Sequence, residues 1–404
     1  MALELTLRLA HSIHEAGADA WDALANPGPG DRPAMPNQPE TGLRCTGAEY
    51  NPFVSHAFLS ALERSNSVCA RTGWQPLHLL ATDSQGALHG VVPCYVKSHS
   101  QGEYVFDHGW ADAYERAGGN YYPKLQVSVP FTPATGPRLL AQPGTQGDAV
   151  RGALADALID VCKRLDASSV HVTFLPEHEW ALLGTHGYLK RTDQQFHWSN
   201  AGYVTFDCFL AALSSRKRKI IRREREDALS GGITVHWLTG TDLTESVWDA
   251  FFKFYMHTGS RKWGRPYLTR AFFSLVGESM GDRIVLIMAK RAGRWIAGAL
   301  NFIGSNTLFG RHWGVIEHHP FLHFELCYYQ AIQYAIERRL ARVEAGAQGE
   351  HKIARGYLPT ITYSAHYIAD PALRRAIAEF LKRERSYVAG AERELAFAAP
   401  FRRG

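Results

Sequence analysis

The stretch EAGAQGEHKIARG (344–356) gathers Gln348, Glu350, His351, Lys352 and Arg355 between apolar segments, with Gly346 and Gly349 breaking a strand pattern. Side chains of these types can grip an anionic carrier or polarise a carbonyl. His351 and Lys352 are the candidate catalytic groups there, and Gln348, Glu350 and Arg355 the candidate binding groups. The competing reading is a solvated loop at a strand end. Just upstream, FLHFELCYYQ (321–330) carries His323 and Glu325. An imidazole titrates near neutrality and a partly buried carboxyl can be tuned upward, so this pair suits proton transfer. A Glu in a first helical turn also complements the helix dipole with no catalytic role. Tyr328 and Tyr329 read as packing. The strand pattern TLFGRHWG (307–314) adds Arg311 and Trp313 as binding candidates.

Cations for a phosphate come from SSRKRKIIRREREDALSGG (214–232). At 3.6 residues per turn these cannot all share one face. Arg218, Arg222 and Arg225 do line up at i, i+4, i+7, and Arg218 and Arg222 are expected to hold phosphates; a plain solvated face is the alternative. The segment KSHSQGEYVFDHGWADAYERAGGNYYPK (97–124) is a polar, aromatic-rich excursion between strands, and long loops in compact domains usually carry function. It offers Lys97, Tyr104, Asp107, Trp110 and Lys124 to an acceptor, and PFTPATGPRLL (130–140) adds Thr135 and Arg138. His318, His319 and His323 beside Glu317 hint at a metal. No H-E-x-x-H is present and Pro320 starts a helix there, so no metal is expected. Cys327 reads as packing.

These groups need a scaffold, and the two halves of the chain supply it twice. PFVSHAFLSALERS (52–65) lies against PYLTRAFFSLVGES (266–279), pairing Pro52 with Pro266, Ser55 with Thr269 and Phe58 with Phe272. HLLATDSQGALHGVVPCYV (78–96) and VLIMAKRAGRWIAGALNFI (285–303) each read as a β-hairpin turning at a glycine, Gly86 and Gly293. Helices follow at 148–165 and 321–340, then strands at 168–174 and 341–347; the second copy inserts a third strand at 307–314. Asp207 and Gly231-Gly232 delimit a long basic helix over 207–230 that joins the copies. A Pro/Gly-rich loop covers 26–42, and a charged helix 371–397. The predicted domains are 1–203 and 204–404, which suits a 404-residue chain.

With 46% hydrophobic and 12% aromatic residues, the chain has ample material for globular cores. A net charge of +5 permits an anionic substrate without the basic footprint of a dedicated nucleic-acid binder. Six scattered cysteines without a C-x-x-C pair suit a reducing compartment. No uncharged apolar run approaches the ~20 residues of a membrane span, and the start, MALELTLRLAHSIHEAG, lacks the basic n-region of a signal peptide. The expected location is the cytoplasm.

The element order resembles the GNAT acyltransferase fold, an α/β fold with mixed sheets, here in tandem. The pair of copies with a basic helix between them is similar to the Fem aminoacyltransferases, which append amino acids from aminoacyl-tRNA to peptidoglycan precursors. NPFVSHAFLSALE (51–63), WQPLHLL (74–80), HFELCYYQAIQYAIERRL (323–340) and EAGAQGEHKIARGYLP (344–359) resemble a FemAB-like group tied to peptidoglycan biosynthesis or recognition. The resemblance implies acyl or aminoacyl transfer to an amine, with no permanently bound cofactor. The carrier would be aminoacyl-tRNA or acyl-CoA, and the acceptor a small amine or a nucleotide-linked cell-wall precursor. Glu325 or His323 would deprotonate the amine. Lys352 and a backbone N–H of the 294–303 strand would face the oxyanion, and Arg218, Arg222 and Arg355 would hold phosphates. One departure favours tRNA over CoA: neither copy has the Q/R-x-x-G-x-G/A loop that cradles a CoA pyrophosphate. After the 307–314 strand the chain reads VIEHHPFLHFEL, without a glycine.

Overall fold

The computed structural model describes residues 4–28, 49–263, 266–346, 349–397 and 399–402, so most of the 26–42 loop lies outside the described residues. The chain divides into two compact units, one of Met1–Asp193 with Thr362–Ser386, the other of Gln194–Ile361 with Tyr387–Gly404. The expected boundary at 203/204 is therefore corrected twice. The chain leaves the first unit earlier, at Asp193, and returns to it after residue 361 because Tyr363–Ile368 pairs antiparallel with the strand at Ser169–Leu175.

The first unit contains β1 (Thr6–Ala10), α1 (Ala18–Ala25), α2 (His56–Arg64), β2 (Trp74–Pro76), β3 (His78–Thr82), β4 (Leu88–Val92), β5 (Cys94–Lys97) and α3 (His108–Arg116). It continues with β6 (Lys124–Val127), β7 (Leu140–Ala141), α4 (Thr145–Arg164), β8 (Ser169–Leu175) and α5 (Glu177–Thr185). The predicted hairpin is β3–β4, flanked as β1-β3-β4-β7. Ser55 caps α2 by accepting from the Phe58 N–H at 3.3 Å. β5 pairs antiparallel with β6, which runs parallel to β8, and α4 is the crossover between those two strands. Every residue of β8 is buried, the pattern of a strand covered on both faces.

β9 (Leu189–Ser199) leads into the second unit, followed by α6 (Phe206–Ala212), α7 (Ser215–Ala228), β10 (Ile233–Leu238), α8 (Glu245–Trp263), α9 (Arg270–Met280), β11 (Ile284–Arg291), β12 (Arg294–Ile303) and β13 (Thr307–Val315). Then come α10 (Leu322–Phe324), a π-helical turn (Glu325–Tyr329), α11 (Gln330–Glu337), β14 (Arg342–Glu344), β15 (Leu358–Ile368) and α12 (Pro371–Phe397). Strand order is β10-β11-β12-β13-β14-β9, antiparallel except for the parallel pair β13–β14. The helix from 322 to 337 is the crossover of that pair, as α4 is in the first unit, so both units repeat hairpin, strand, helix, parallel strand. A side chain at Gly314 would collide with the α8 backbone at Phe254, so glycine lets α8 sit directly on β13.

The single connecting helix expected over 207–230 is instead two, α6 and α7. Leu213 breaks it: this residue is extended (ψ 156°), fully buried and bridged to Phe401, while the Ser214 N–H donates to the Pro400 carbonyl at 2.9 Å. Burial of Leu213 and two tertiary backbone bonds outweigh one more helical turn. Among the described residues, no helix is long and apolar enough to cross a membrane.

Candidate functional site

β13 positions the first part of the site. Its register against β12 shifts between Leu300↔His312 and Asn301↔Gly310, which leaves Arg311 as the extra residue of a bulge. Its parallel pairing with β14 covers only Thr307–Phe309, yet β13 runs on to Val315. Where the pairing has ended, Trp313 and Val315 help to form a cavity of about 280 Å³ with His318, His319, Phe321, Leu322, His323 and Phe324. Phe321 opens the helix in a left-handed conformation (φ 59°) and is 38% exposed. For a bulky side chain that backbone is strained, and such residues cluster at functional sites. His323 packs edge-on against Trp313 (5.2 Å) and Tyr328 (5.4 Å).

The π-turn carries the second part. A π-turn inserted into an α-helix is a frequent mark of a functional site. Its first residue, Glu325, is 0% exposed and accepts from Arg225 through both oxygens, at 2.9 Å from NH2 and 3.1 Å from Nε. Gln330 Nε2 adds a bond at 2.7 Å. Both oxygens of this carboxylate are committed inside the core, so the expected role of Glu325 as a proton acceptor does not fit; it anchors the π-turn to α7. Arg225 also donates to Gln333 Oε1 at 3.0 Å and lies 4.4 Å over the Phe206 ring. The i, i+4, i+7 row therefore splits. Arg225 turns inward, while Arg222, at the surface, lies 3.4 Å from Asp207 and Arg218 bonds Ser215.

The preceding residue of α7, Glu224, holds the 344–356 segment. It accepts from Arg355 NH2 at 2.8 and 2.9 Å and from the Tyr329 hydroxyl. Arg355 is 7% exposed, donates to the His351 carbonyl at 2.8 Å and stacks 3.5 Å over the Phe324 ring. It is a clamp within the unit and not the phosphate ligand expected from sequence. His351 is exposed, with Nε2 2.9 Å from the Tyr328 hydroxyl. Burial raises the Tyr328 pKa well above the usual phenol range, so this hydroxyl stays protonated and shares a hydrogen bond with the imidazole, whose tautomer sets the direction. Lys352 is 1% exposed, burial pushes its ammonium down to about 8, and its Nζ donates to the Gly346 carbonyl at 2.8 Å. That bond turns Lys352 inward, which leaves it tying down the segment and not facing an oxyanion. Gln348 and the side chain of Glu350 lie outside the described residues.

In the first unit, the 97–124 excursion does bring its polar residues together, but inward. Lys97, Lys124, Glu103 and Asp107 are all at least nine-tenths buried. Lys124 Nζ donates to Asp107 Oδ2 at 2.6 Å and to Ser100 Oγ at 2.7 Å. Lys97 ion-pairs with Glu103 at 3.3 Å and lies 3.6 Å over the Trp74 ring. Burial pushes the Lys97 ammonium down to about 7. Burial alone would raise the Asp107 carboxyl, but Lys124 and His171 together hold it well below the usual range. The network continues through the Tyr121 hydroxyl, 2.8 Å from Asp107, to His171 and on to His366, whose Nδ1 atoms are 2.7 Å apart. Trp110 packs against both imidazoles. These side chains neutralise one another, so Lys97, Asp107, Trp110 and Lys124 fasten the excursion to the sheet and present no free charge to an acceptor. Arg138 is fully buried and donates to the carbonyls of Thr173, Gly136, Pro137 and Ala134, a strut and not a ligand-binding group. The Thr135 carbonyl accepts from Asn51, and Tyr104 is half-buried in a left-handed conformation.

Of the sequence-derived site residues, Trp313 and His323 line the cavity, and His351 packs behind it against Tyr328 and Phe324. The structure adds Phe321, Phe324, His318 and His319. Among the described residues, no group of three His, Cys, Asp or Glu side chains could hold a metal ion.

Each unit carries a hairpin and then two parallel strands bridged by a helix, and in the second unit those strands part beside a cavity; this is a GNAT-type fold, present as a tandem of two. The crystal structure of FemX is similar to it over 92% of this chain and 100% of that chain, with a TM-score of 0.51 and 12% identity, a likeness in fold. The chain belongs to the FemAB-like family, described as peptidoglycan biosynthesis/recognition, which matches residues 12–403. The L-PGS structure from Bacillus licheniformis covers 82% of this chain and 98% of its own at 10% identity and a TM-score of 0.48. A tandem GNAT protein from the clavulanic acid biosynthesis pathway covers 91% and 99% at 12% identity and 0.43. No curated protein matches the chain in sequence.

Proposed function

We propose that the protein is an acyltransferase that moves an acyl or aminoacyl group from an activated carrier to an amine in peptidoglycan metabolism. The chemistry sits in the second unit, in the cavity at the end of β13. The observation that carries this reading is the cavity itself, lying where β13 has run past its parallel pairing with β14 and walled by an imidazole, His323. Attack by an amine on an activated carbonyl needs a proton acceptor within reach. His323 lines the space where the reacting carbonyl would lie. The Tyr328–His351 pair stands beside it; with Nε2 protonated the imidazole donates to the phenol oxygen, which frees the hydroxyl proton for developing charge. The carrier, whether tRNA or CoA, would meet the exposed Arg222 and the half-buried Arg218 on α7.

The test is product detection by mass spectrometry after incubating purified protein with charged tRNA or an acyl-CoA series and with amino acids, amino sugars or a muramyl-peptide precursor. His323→Gln should lower turnover by about 10²–10⁴-fold while donor binding persists. Transfer that survives His323→Gln undiminished overturns the assignment of the base. Absence of transfer with every carrier and acceptor pair overturns the reading as a transferase.

A further inference from the structure

The cavity walls say what kind of acyl group fits, an inference that rests on the reading just given. Trp313, Val315, Phe321, Leu322 and Phe324 provide apolar surface, with imidazoles as the polar part. Among the described residues that line it there is no carboxylate to receive an α-ammonium. Such a cation would shed hydration without gaining a counter-ion. It would also meet a ring already in use: Phe324 carries the Arg355 guanidinium 3.5 Å from its centroid, a position that disfavours a second cation nearby. An uncharged tail suffers neither cost. At about 30 Å³ for each water- or methylene-sized group, a volume of 280 Å³ takes roughly nine such groups.

The backbone at Phe321 gives an independent pointer. It is left-handed (φ 59°) and the ring is 38% exposed. A left-handed conformation strains a bulky residue, where glycine would sit without strain. Phe131 and Phe174 take the same conformation with their rings buried in the core, whereas the Phe321 ring stays partly exposed and lines the cavity. Phe321 forms the outer wall, 6.2 Å from Phe324, and covers whatever lies between them and Trp313.

We infer that this cavity holds the uncharged, apolar tail of a medium-length acyl group, and that Phe321 is the residue selecting it over acetyl and aminoacyl groups. The informative variant is Phe321→Gly, which removes the wall and relieves the left-handed backbone together, and its melting temperature checks that the fold is kept.

The experiment uses N-acetylcysteamine thioesters of octanoate, acetate and alanine, which share the reactive bond and lack any nucleotide carrier. Their binding is measured by calorimetry on the wild-type protein and on Phe321→Gly, with melting temperature recorded for both. Octanoyl is expected to bind at least about tenfold more tightly than the other two, because each additional methylene buried in the cavity adds to the affinity. Phe321→Gly should shrink that ratio to about threefold or less with an unchanged or higher melting temperature. Equal binding of the three thioesters, a preference for alanyl, or an unchanged ratio in Phe321→Gly overturns the inference. Octanoyl selectivity in a protein that transfers nothing would sink the proposed function and leave this inference standing. Transfer of alanyl and acetyl as readily as octanoyl would do the reverse.

Discussion

Arg225→Met is the most informative single change, because it separates an anchor from an acid–base group. Wild-type Glu325 is fully buried and receives three hydrogen bonds from Arg225 and one from Gln330. Methionine keeps the apolar stem near Phe206 but leaves a buried carboxylate with the Gln330 amide alone. Removing one partner of a buried pair costs about 3–5 kcal/mol, since the other charge stays uncompensated. For a unit of this size each kcal/mol lowers the melting temperature by about 2–4 °C, so the expected drop is roughly 6–20 °C. Replacing both partners, Arg225→Met with Glu325→Met, removes the stranded charge and should recover most of the loss. Urea unfolding followed by far-UV circular dichroism gives the three stabilities. A single variant within about 1 kcal/mol of wild type, or a double variant no better than the single, refutes the anchoring argument.

Lys352 should leave a mark in alkali. Burial puts its folded pKa at about 8, below the ~10.4 of an unfolded lysine, so between those values the unfolded chain binds more protons and stability rises with pH; Lys352→Met should flatten that limb of a stability-versus-pH curve. The imidazole pair acts at the other end. Burial pushes His171 down to about 3 and His366 well below its usual value, while unfolded histidines titrate near 6.5. Below about pH 6.5 the unfolded chain takes up protons that the folded one refuses, so stability should fall by up to ~1.4 kcal/mol per pH unit for each ring. Asparagine at both positions should reduce the slope, as read from denaturation midpoints at pH 4 to 7. Arg138→Met strands buried carbonyls of Ala134, Gly136, Pro137 and Thr173 and should cost about 3 kcal/mol or more. A loss under about 1 kcal/mol in urea would contradict its role as a strut.

Local pattern carried much of the fold. The Pro-x-x-Ser/Thr starts, the Gly86 and Gly293 hairpins and the helices after them rest on caps, turns and periodicity, which neighbouring residues specify. Charge placement was far less legible. That Arg225 turns inward depends on Glu325, a hundred residues away. A basic run in sequence looks alike on either face, although adjacent Glu224 and Arg225 were a hint that α7 grips two different partners. The 97–124 excursion misled for the same reason. Dense polar side chains suit a ligand surface as well as a buried network, and here they pair among themselves in the core. At the cavity Trp313 and His323 were readable by type, as was His351 beside Tyr328. Phe321 was not, since its significance lies in a backbone angle.

The first unit is assembled from two stretches of chain, with residues 194–361 intervening. A ribosome delivers residues in order, and domains generally fold as they emerge. Here the earlier-synthesised unit has to wait for its last strand, Tyr363–Ile368, until the whole middle of the other has been made. Its β8 side stays open during that interval, when a chaperone or a neighbouring nascent chain can reach it. A stop codon placed at the apparent midpoint of the gene would therefore yield a product missing a strand and not a smaller protein.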